Sequence, residues 1–415
     1  MSKIRIKNFG PIKEGYQEND GWLDVKKVTV FIGNQGSGKS TIAKLISTLS
    51  WIEKAMVMGT IRQDELNTHN RFLKQLAYQR IEKYAKPETS IEYIGKAFTL
   101  SYIYGKFETQ KSKENGYQLP KIMYAPAERN FLSSVDRPDK LKNLPSTLYT
   151  FNDEFDAAKN LFASGIELPI NKVRFEYDKL NKLARIVGEN RNYELRLSEA
   201  SSGFQSTVPL FLVTKYLSDS LSAEEDPSIK ENSLEEQKKL DKEIKTILND
   251  PQLTPEIRQA YLRQLSAKRK RACFINIVEE PEQNLFPSSQ RSLLFELLSH
   301  TKKDGNKLIM TTHSPYLINY LTHAVKAYNV LEKIHASNNS SELENKLNQI
   351  VPLNAALNPN EWVIYELDEY SGSIIHLGNY KGLPEDGNYL NKRMGETNEL
   401  FANLLEIEDK CQISL

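Results

Sequence analysis

The sequence predicts an α/β protein built around a mixed sheet, and three stretches predict it. VTVFIG (28–33) is a continuous apolar run, the pattern of a strand buried on both faces. It opens through GNQGSGKST into TIAKLISTLSWIEKAM (41–56), which has helical spacing. ACFINIVEEPE (272–282) is a second buried strand, ending in acids. NKLIMTTHSP (306–315) is a third, ending in a histidine. Buried strands interleaved with helices give a sheet covered on its faces by helices.

The remaining elements follow in order. KIRIK (3–7) alternates as a half-buried strand, and Asn8-Phe9-Gly10-Pro11 is turn chemistry. Residues 62–86 read as a helix rich in Lys, Arg and Gln. SIEYIGKAFTLSYIYGKFETQ (90–110) alternates and predicts β structure, and KIMYAPAERN (121–130) is a short strand running into a loop. Residues 131–170 are helical and loop-like. VRFEYD (173–178) and YELRL (193–197) are strands, and TVPLFLVTKYLSDSL (207–221) is an amphipathic helix. Residues 222–271 are dense in Lys, Glu and Gln and interrupted by Asp250-Pro251 and Thr254-Pro255, which predicts an inserted, projecting charged helical hairpin. SQRSLLFELLSHTKK (289–303) is helical and 336–350 is a polar, mobile stretch. EWVIYELDEYSGSIIHL (361–377) is a hairpin turning at DEYSG, and 388–408 form a closing helix.

Composition narrows the class. A chain of 415 residues exceeds one small core and implies two or three subdomains, or one large mosaic domain. Hydrophobic content of 39% and charged content of 26% are ordinary for a soluble protein, and a net charge of +1 gives no global field for nucleic acid. The two cysteines, Cys273 and Cys411, exclude a disulfide framework or a cysteine zinc site and fit a reducing cytosol. The N-terminal MSKIRIKNFG is no targeting segment, and no run approaches the ~18 apolar residues of a membrane helix, so a cytoplasmic protein without a membrane partner is expected.

Three motifs carry chemistry. In Gly33-x-x-x-x-Gly38-Lys39-Ser40 the glycines let backbone N–H groups converge on phosphate oxygens. Lys39 reaches the β and γ phosphates, the Ser40 hydroxyl ligates Mg²⁺, and the helix N-terminus adds partial positive charge. ATP and Mg²⁺ are the ligands this implies, with Gly33, Asn34, Gly36, Ser37, Gly38, Lys39, Ser40 and Thr41 as the binding residues. In NIVEEPEQNLFP (276–287) Glu279 is the candidate metal ligand and Glu280 the candidate base for the attacking water. His313, at the end of an apolar strand, is the candidate contact to the γ-phosphate and that water. Lys39, Glu280 and His313 form the expected catalytic set. A fourth motif, SEASSGFQS (198–206), is a second Ser/Gly turn leading into a helix, with Ser201, Ser202 and Gly203 at its N-terminus.

In order, GNQGSGKST, ASSGFQS, IVEEPEQNLFP and TTHSPYL resemble the ABC-type ATPase head of the P-loop NTPases found in SMC, Rad50, RecF and OLD-family proteins, over roughly residues 1–330. The Glu-Glu-Pro-Glu and Thr-His-Ser-Pro runs are closest to the OLD-like branch. That resemblance implies two heads facing head to tail, with each ATP held by one phosphate loop and by Ser201, Ser202 and Gly203 of the other head, in a homodimer or higher homo-oligomer. Ser202 stands where many relatives have glycine, and Ala200 where leucine is usual. PAERN (126–130) falls at the family's glutamine loop without a glutamine, leaving Glu128 or Arg129 to serve. Gln283 and Asn284 would touch the partner head.

The expected organisation is an N-terminal ATPase lobe (1–130), a helical signature lobe (131–221), the inserted hairpin (222–271), a C-terminal ATPase lobe (272–330) and a hairpin and helix completing the head (331–415). The interval between PAERN and ASSGFQS, only about seventy residues, holds no heptads, so a long coiled-coil arm there is not expected. No nuclease pattern follows Asn329, and Asp368 and Glu369 read as turn residues. The chain also resembles stand-alone ATPase subunits of two-gene anti-phage systems such as Septu and PARIS. This implies a separate nuclease effector and a DNA or phage-protein trigger. The alternative is a RecF-like DNA-binding repair ATPase, with KRKR (268–271) on phosphates. A transporter head is disfavoured because no membrane segment is seen. An assembly module with little hydrolysis is the third rival.

Overall fold

The structure is a computed structural model describing residues 2–112, 116–135, 138–140, 143–223, 246–247, 272–336 and 340–412. The expected charged hairpin over 222–271, with KRKR, lies almost wholly outside the described residues.

A seven-stranded mixed sheet is the frame. Its order is β2 (Gly15–Tyr16), β16 (Ser373–His376), β15 (Trp362–Leu367), β4 (Val28–Gly33), β14 (Lys307–Thr312), β13 (Cys273–Glu279) and β8 (Pro120–Ala125). The five strands from β15 to β8 are parallel, and β16 runs antiparallel to β15. The three apolar runs are therefore neighbours, as a sheet buried on both faces requires. Along β4 the side chains alternate. Val28, Val30 and Ile32 enter one core cluster while Phe31 enters the other.

Helix Lys39–Val57 lies on the Phe31 face. Ile42, Leu45, Ile46, Leu49 and Ile52 are buried there against Ile277, Ile309 and Tyr365. The helix is covered on its other side by a five-stranded antiparallel sheet, ordered β3 (Leu23–Val25), β1 (Ser2–Phe9), β5 (Ala85–Ile94), β6 (Phe98–Ile103) and β7 (Lys106–Lys111). Ile4, Ile6, Ile91 and Tyr93 supply that covering, which is why the helix is buried nearly all round. Gly59, at φ 71°, and the bonds from Gly59 N to Met56 O and Thr60 N to Ala55 O end it in a left-handed cap.

The opposite face of the sheet carries helices Ser146–Leu161, Ser202–Ala223, Pro287–Ser299 and Pro315–His335. A small antiparallel sheet borders them, ordered β12 (Glu194–Arg196), β11 (Leu183–Val187), β10 (Arg174–Asp178) and β9 (Ile166–Glu167). The C-terminal β17 (Asn379–Tyr380) and β18 (Leu383–Pro384) form a two-stranded ribbon.

Two expectations are corrected. Residues 62–86 are not one helix. Short helices Gln63–Asn67 and Arg71–Ala77 are separated at Asn70, in the left-handed region at φ 55°, and β5 begins at Ala85. The amide of Asn67 exchanges hydrogen bonds with the backbone of Phe107, at 2.6 and 2.8 Å, which holds the break against β7. Within 336–350, Ser340–Ile350 is a helix, supported by the Glu342–Lys346 pair one turn apart and by buried Leu347. The DEYSG hairpin forms as β15 and β16. The last helix, Tyr389–Gln412, is packed only at its start: Leu390 is buried while residues 392–410 are exposed.

Candidate active site

The five parallel strands end at one edge of the sheet. Register pairs Glu279 with Thr311, Thr312 with Ile32, and Leu367 with Gly33. The loops leaving these ends are 33–39, 126–130, 279–284, 312–314 and 368–372, and an open α/β sheet binds ligands outside its strand C-termini.

The glycine loop is shaped by its sequence. Gly33 has φ 143°, and a Cβ there would stand 2.4 Å from Leu367 O, so no other residue fits between β4 and β15. Gly38 caps the following helix in the left-handed region at φ 105°. Asn34, Gln35 and Gly36 are exposed while Ser37 and Lys39 are buried. Lys39 Nζ donates to Gly33 O at 2.9 Å and Asn34 O at 2.8 Å, folding the ammonium across the loop. Burial lowers the Lys39 pKa to about 8, partly offset by Glu280, Glu282, Glu369 and Glu279. Ser40 and Thr41 begin the helix.

Beside the loop, Glu279 Oε2 accepts from Ala127 N at 3.2 Å, and Glu279 Oε1 is buried without a hydrogen-bond partner among the described residues. Glu280 sits in the left-handed region at φ 43°, unusual for a residue with a side chain. His313 Nε2 stands 3.6 Å from Glu280 Oε1, an ion-pair distance rather than a formed hydrogen bond. The His313 side chain first, then Lys39 and Arg129, hold the Glu280 carboxyl below its ordinary value against the opposing effect of burial. The carboxylate is thus ionised at neutral pH.

Three residues of this site have roles that the sequence did not show. Arg129, considered above for the glutamine-loop role, is fully buried. Its guanidinium donates to Glu279 O (2.6 Å), Glu280 O (2.8 Å), Pro126 O and Ser206 O (both 3.2 Å). It therefore ties the acidic strand end to the signature helix and faces no ligand. Burial lowers its pKa to about 10, and it stays charged at neutral pH. Glu282 is buried. It accepts from Thr312 Oγ1 (2.8 Å) and His313 N (2.7 Å), fixing the histidine loop, and burial raises its pKa. Glu369 is more than a turn residue: it accepts from Asn34 Nδ2 at 2.9 Å, whereas Asp368 Oδ1 accepts from Tyr370 N and Ser371 N within the turn as expected. Glu128 is exposed.

The Ser/Gly turn stands apart. Ser201 and Ser202 are exposed at the start of helix Ser202–Ala223, and Gly203 is buried. A Cβ on Gly203 would stand 2.8 Å from Asn284 O, and Ser206 Oγ lies 3.2 Å from Gln283 Oε1, so the turn packs on the loop after the acids. Gln205 Nε2 donates to Ser198 O at 3.0 Å, and Ser134 Oγ donates to Gln205 Oε1 at 3.0 Å, bracing it from within.

The residues present fit a magnesium nucleotide. Ser37 Oγ and Glu279 Oε1 are buried and unpartnered among the described residues, and a Cβ on Gly36 would meet nothing within 4 Å. No group of three or more His, Cys, Asp or Glu among the described residues would hold a metal by itself. That is the usual condition for Mg²⁺, which takes one or two protein oxygens plus phosphates and water.

Strand–glycine loop–helix geometry at the edge of a mixed α/β sheet, with an acid pair and a histidine beside it, is suited to holding a phosphate group. Comparison with known proteins gives the following. Residues 256–318 match the family model for the AAA ATPase domain, a stretch containing Glu279, Glu280 and His313. The search of curated proteins finds no match. Among solved structures the chain is similar to the SMC head domain from Thermotoga maritima, at 10% identity over 91% of this chain and 98% of that one, with a TM-score of 0.37. It is also similar to an Smc head domain with an extended coiled coil from Pyrococcus furiosus, bound to the C-terminal domain of ScpA, at 10% identity, 96% and 100% coverage and TM-score 0.36. A dimeric ATP-binding cassette in a post-hydrolysis state, bound to ADP and Pi, matches at 12% identity, 92% and 100% coverage and TM-score 0.28. No described helix is long and apolar enough to cross a membrane.

Lys39 gives a direct test of the ligand class. Its depressed pKa means that the ammonium loses its charge as pH rises through about 8. Phosphate binding favours the charged form. Binding of ATP at pH 8 is therefore expected to take up close to half a proton, and affinity to fall between pH 7 and 9. Titration calorimetry in two buffers of different ionisation enthalpy reads this out. Heats that ignore the buffer would remove Lys39 from the site.

Proposed function

We propose that this chain is an ABC/SMC-like ATPase that binds ATP·Mg²⁺ and hydrolyses it to ADP and phosphate. One observation carries the reading: the glycine loop, the Glu279–Glu280 pair and His313 converge at the ends of adjacent parallel strands, with Glu280 ionised beside His313. Lys39 holds the β and γ phosphates. Glu280 accepts the proton of the attacking water as its oxygen bonds to the γ-phosphorus and the bond to the ADP oxygen breaks. His313 steadies the Glu280 carboxylate and contacts the γ-phosphate. Ser40 and Glu279 would hold Mg²⁺, which neutralises phosphate charge.

The assembly proposed is head to tail, with ATP sandwiched between subunits of a homodimer or higher homo-oligomer. Its support is the exposed, internally braced turn at Ser201–Ser202 on a helix N-terminus, a ready site for a γ-phosphate. The further proposal is that the ATPase acts as sensor or scaffold for a separate nuclease effector in anti-phage defence, as its sequence resemblance implies.

The test of the assembly is solution mass with and without ATP·Mg²⁺. Wild type is expected to gain mass when ATP·Mg²⁺ is added, and Ser201→Arg to abolish that gain while leaving ATP binding to each subunit intact. A Ser201→Arg protein that assembles and hydrolyses ATP normally would reduce the turn to a helix cap and the protein to a self-contained ATPase.

A further inference from the structure

The helix Tyr389–Gln412 is the largest feature that the proposed site does not use. Its start is fixed: Asn388 is fully buried, its Oδ1 accepts from Asn391 N at 3.0 Å as a cap, and Leu390 is buried. From residue 392 to 410 every residue is exposed, so the helix leaves the body and extends roughly 28 Å into solvent at 1.5 Å per residue. Yet this exposed part is not polar. Met394, Leu400, Phe401, Leu404, Leu405 and Ile407 are each between 46% and 64% exposed. Met394, Phe401 and Leu404 are spaced by seven and three residues, and Leu400, Leu404 and Ile407 by four and three, the spacing of a helix–helix seam. An isolated helix of this length is marginal in water, and helices in proteins are held by packing their apolar face. Nothing among the described residues covers this face.

Its charges identify the partner. Residues 389–398 carry Lys392 and Arg393 against Glu396, a net +1. Residues 399–410 carry Glu399, Glu406, Glu408 and Asp409 against Lys410, a net −3. Two copies laid parallel would set −3 against −3. Laid antiparallel, each copy's basic start meets the other's acidic end, twice, by two-fold symmetry. We propose that helix Tyr389–Gln412 pairs antiparallel with the same helix of a second copy of this chain, through the seam at Met394, Phe401 and Leu404. This contact needs no nucleotide. It is a second interface, separate from the ATP-dependent one, and its presence would link head-to-tail pairs into larger assemblies.

The experiment uses the full chain without nucleotide, so its outcome does not depend on the ATPase reading. Solution mass is measured for wild type, for Lys392→Glu/Arg393→Glu, and for Glu406→Lys/Glu408→Lys/Asp409→Lys. All five substituted positions are exposed, so folding, checked by circular dichroism, is expected to persist. Wild type is expected to be dimeric. Each variant alone is expected to self-associate at least about ten-fold more weakly, because one has acidic halves throughout and the other basic. Mixed one to one, they are expected to form a dimer as tight as wild type or tighter. A monomeric wild type, dimers that survive both variants, or a mixture that stays monomeric would each overturn the proposal.

Discussion

Glu280→Gln is expected to lower steady-state ATP hydrolysis by about 100-fold or more while nucleotide affinity stays near wild type, so that the ATP-bound multimer accumulates. The substitution keeps the side chain's size and its place beside His313, 3.6 Å away, and removes only the capacity to accept a proton. The backbone strain at φ 43° is the same for Gln as for Glu, so the structure has no separate reason to rearrange. The pH profile sharpens the test. Because His313 and Lys39 hold the Glu280 carboxyl below its ordinary value, wild-type activity on the acid side should persist to lower pH than an unperturbed glutamate permits. Rapid-quench measurement of phosphate release, together with the mass of the ATP-bound state, decides the matter. A hydrolysis rate unchanged in Glu280→Gln would remove this residue from the role of base.

Arg129→Met should have the largest effect on stability. The guanidinium is fully buried and serves four backbone carbonyls, two of them belonging to Glu279 and Glu280. Methionine fills the volume and supplies no donor, so these acceptors lose their partners where water does not reach them. The cost should be about 3–5 kcal/mol, the range for removing one side of a buried charged network. Arg129→Lys should recover part of it, since one ammonium keeps the charge without the planar fork that reaches several carbonyls together. Chemical denaturation measures the difference. Hydrolysis should also fall in Arg129→Met at temperatures where it is folded, because Arg129 ties the acidic strand end to Ser206 of the signature helix. A loss of stability under 1 kcal/mol would show that the carbonyls are satisfied in another way.

What was legible in the sequence was local. VTVFIG, ACFINIVEEPE and NKLIMTTHSP announced buried strands because a strand covered on both faces is apolar throughout, and GNQGSGKST announced its loop because few sequences bend a backbone in that way. What escaped was set by distance in the chain. Arg129 reads as a candidate for the glutamine-loop role until β8 lies beside β13 and buries it, and Glu369 as a turn residue until β15 lies beside β4. Glu282 resembles its acidic neighbours in the sequence, and only the fold shows its carboxylate bonded to Thr312 and His313. The break at Asn67–Asn70 was hidden for the same reason: helical composition was overruled by a tertiary contact with Phe107.

The position of β4 has a consequence for how the protein is made. Its neighbours in the sheet are β14 and β15, which come from the far part of the chain, and Lys13 donates to Tyr370 O across 357 positions of sequence. During synthesis the glycine-loop strand therefore emerges before both of its partners and waits, with both edges unpaired, until residues 307–367 have left the ribosome. Contacts of such separation make folding slow and leave an apolar strand open to wrong pairings in the meantime. The loop between β4 and the helix that follows it is then among the last parts of the sheet edge to be fixed in place.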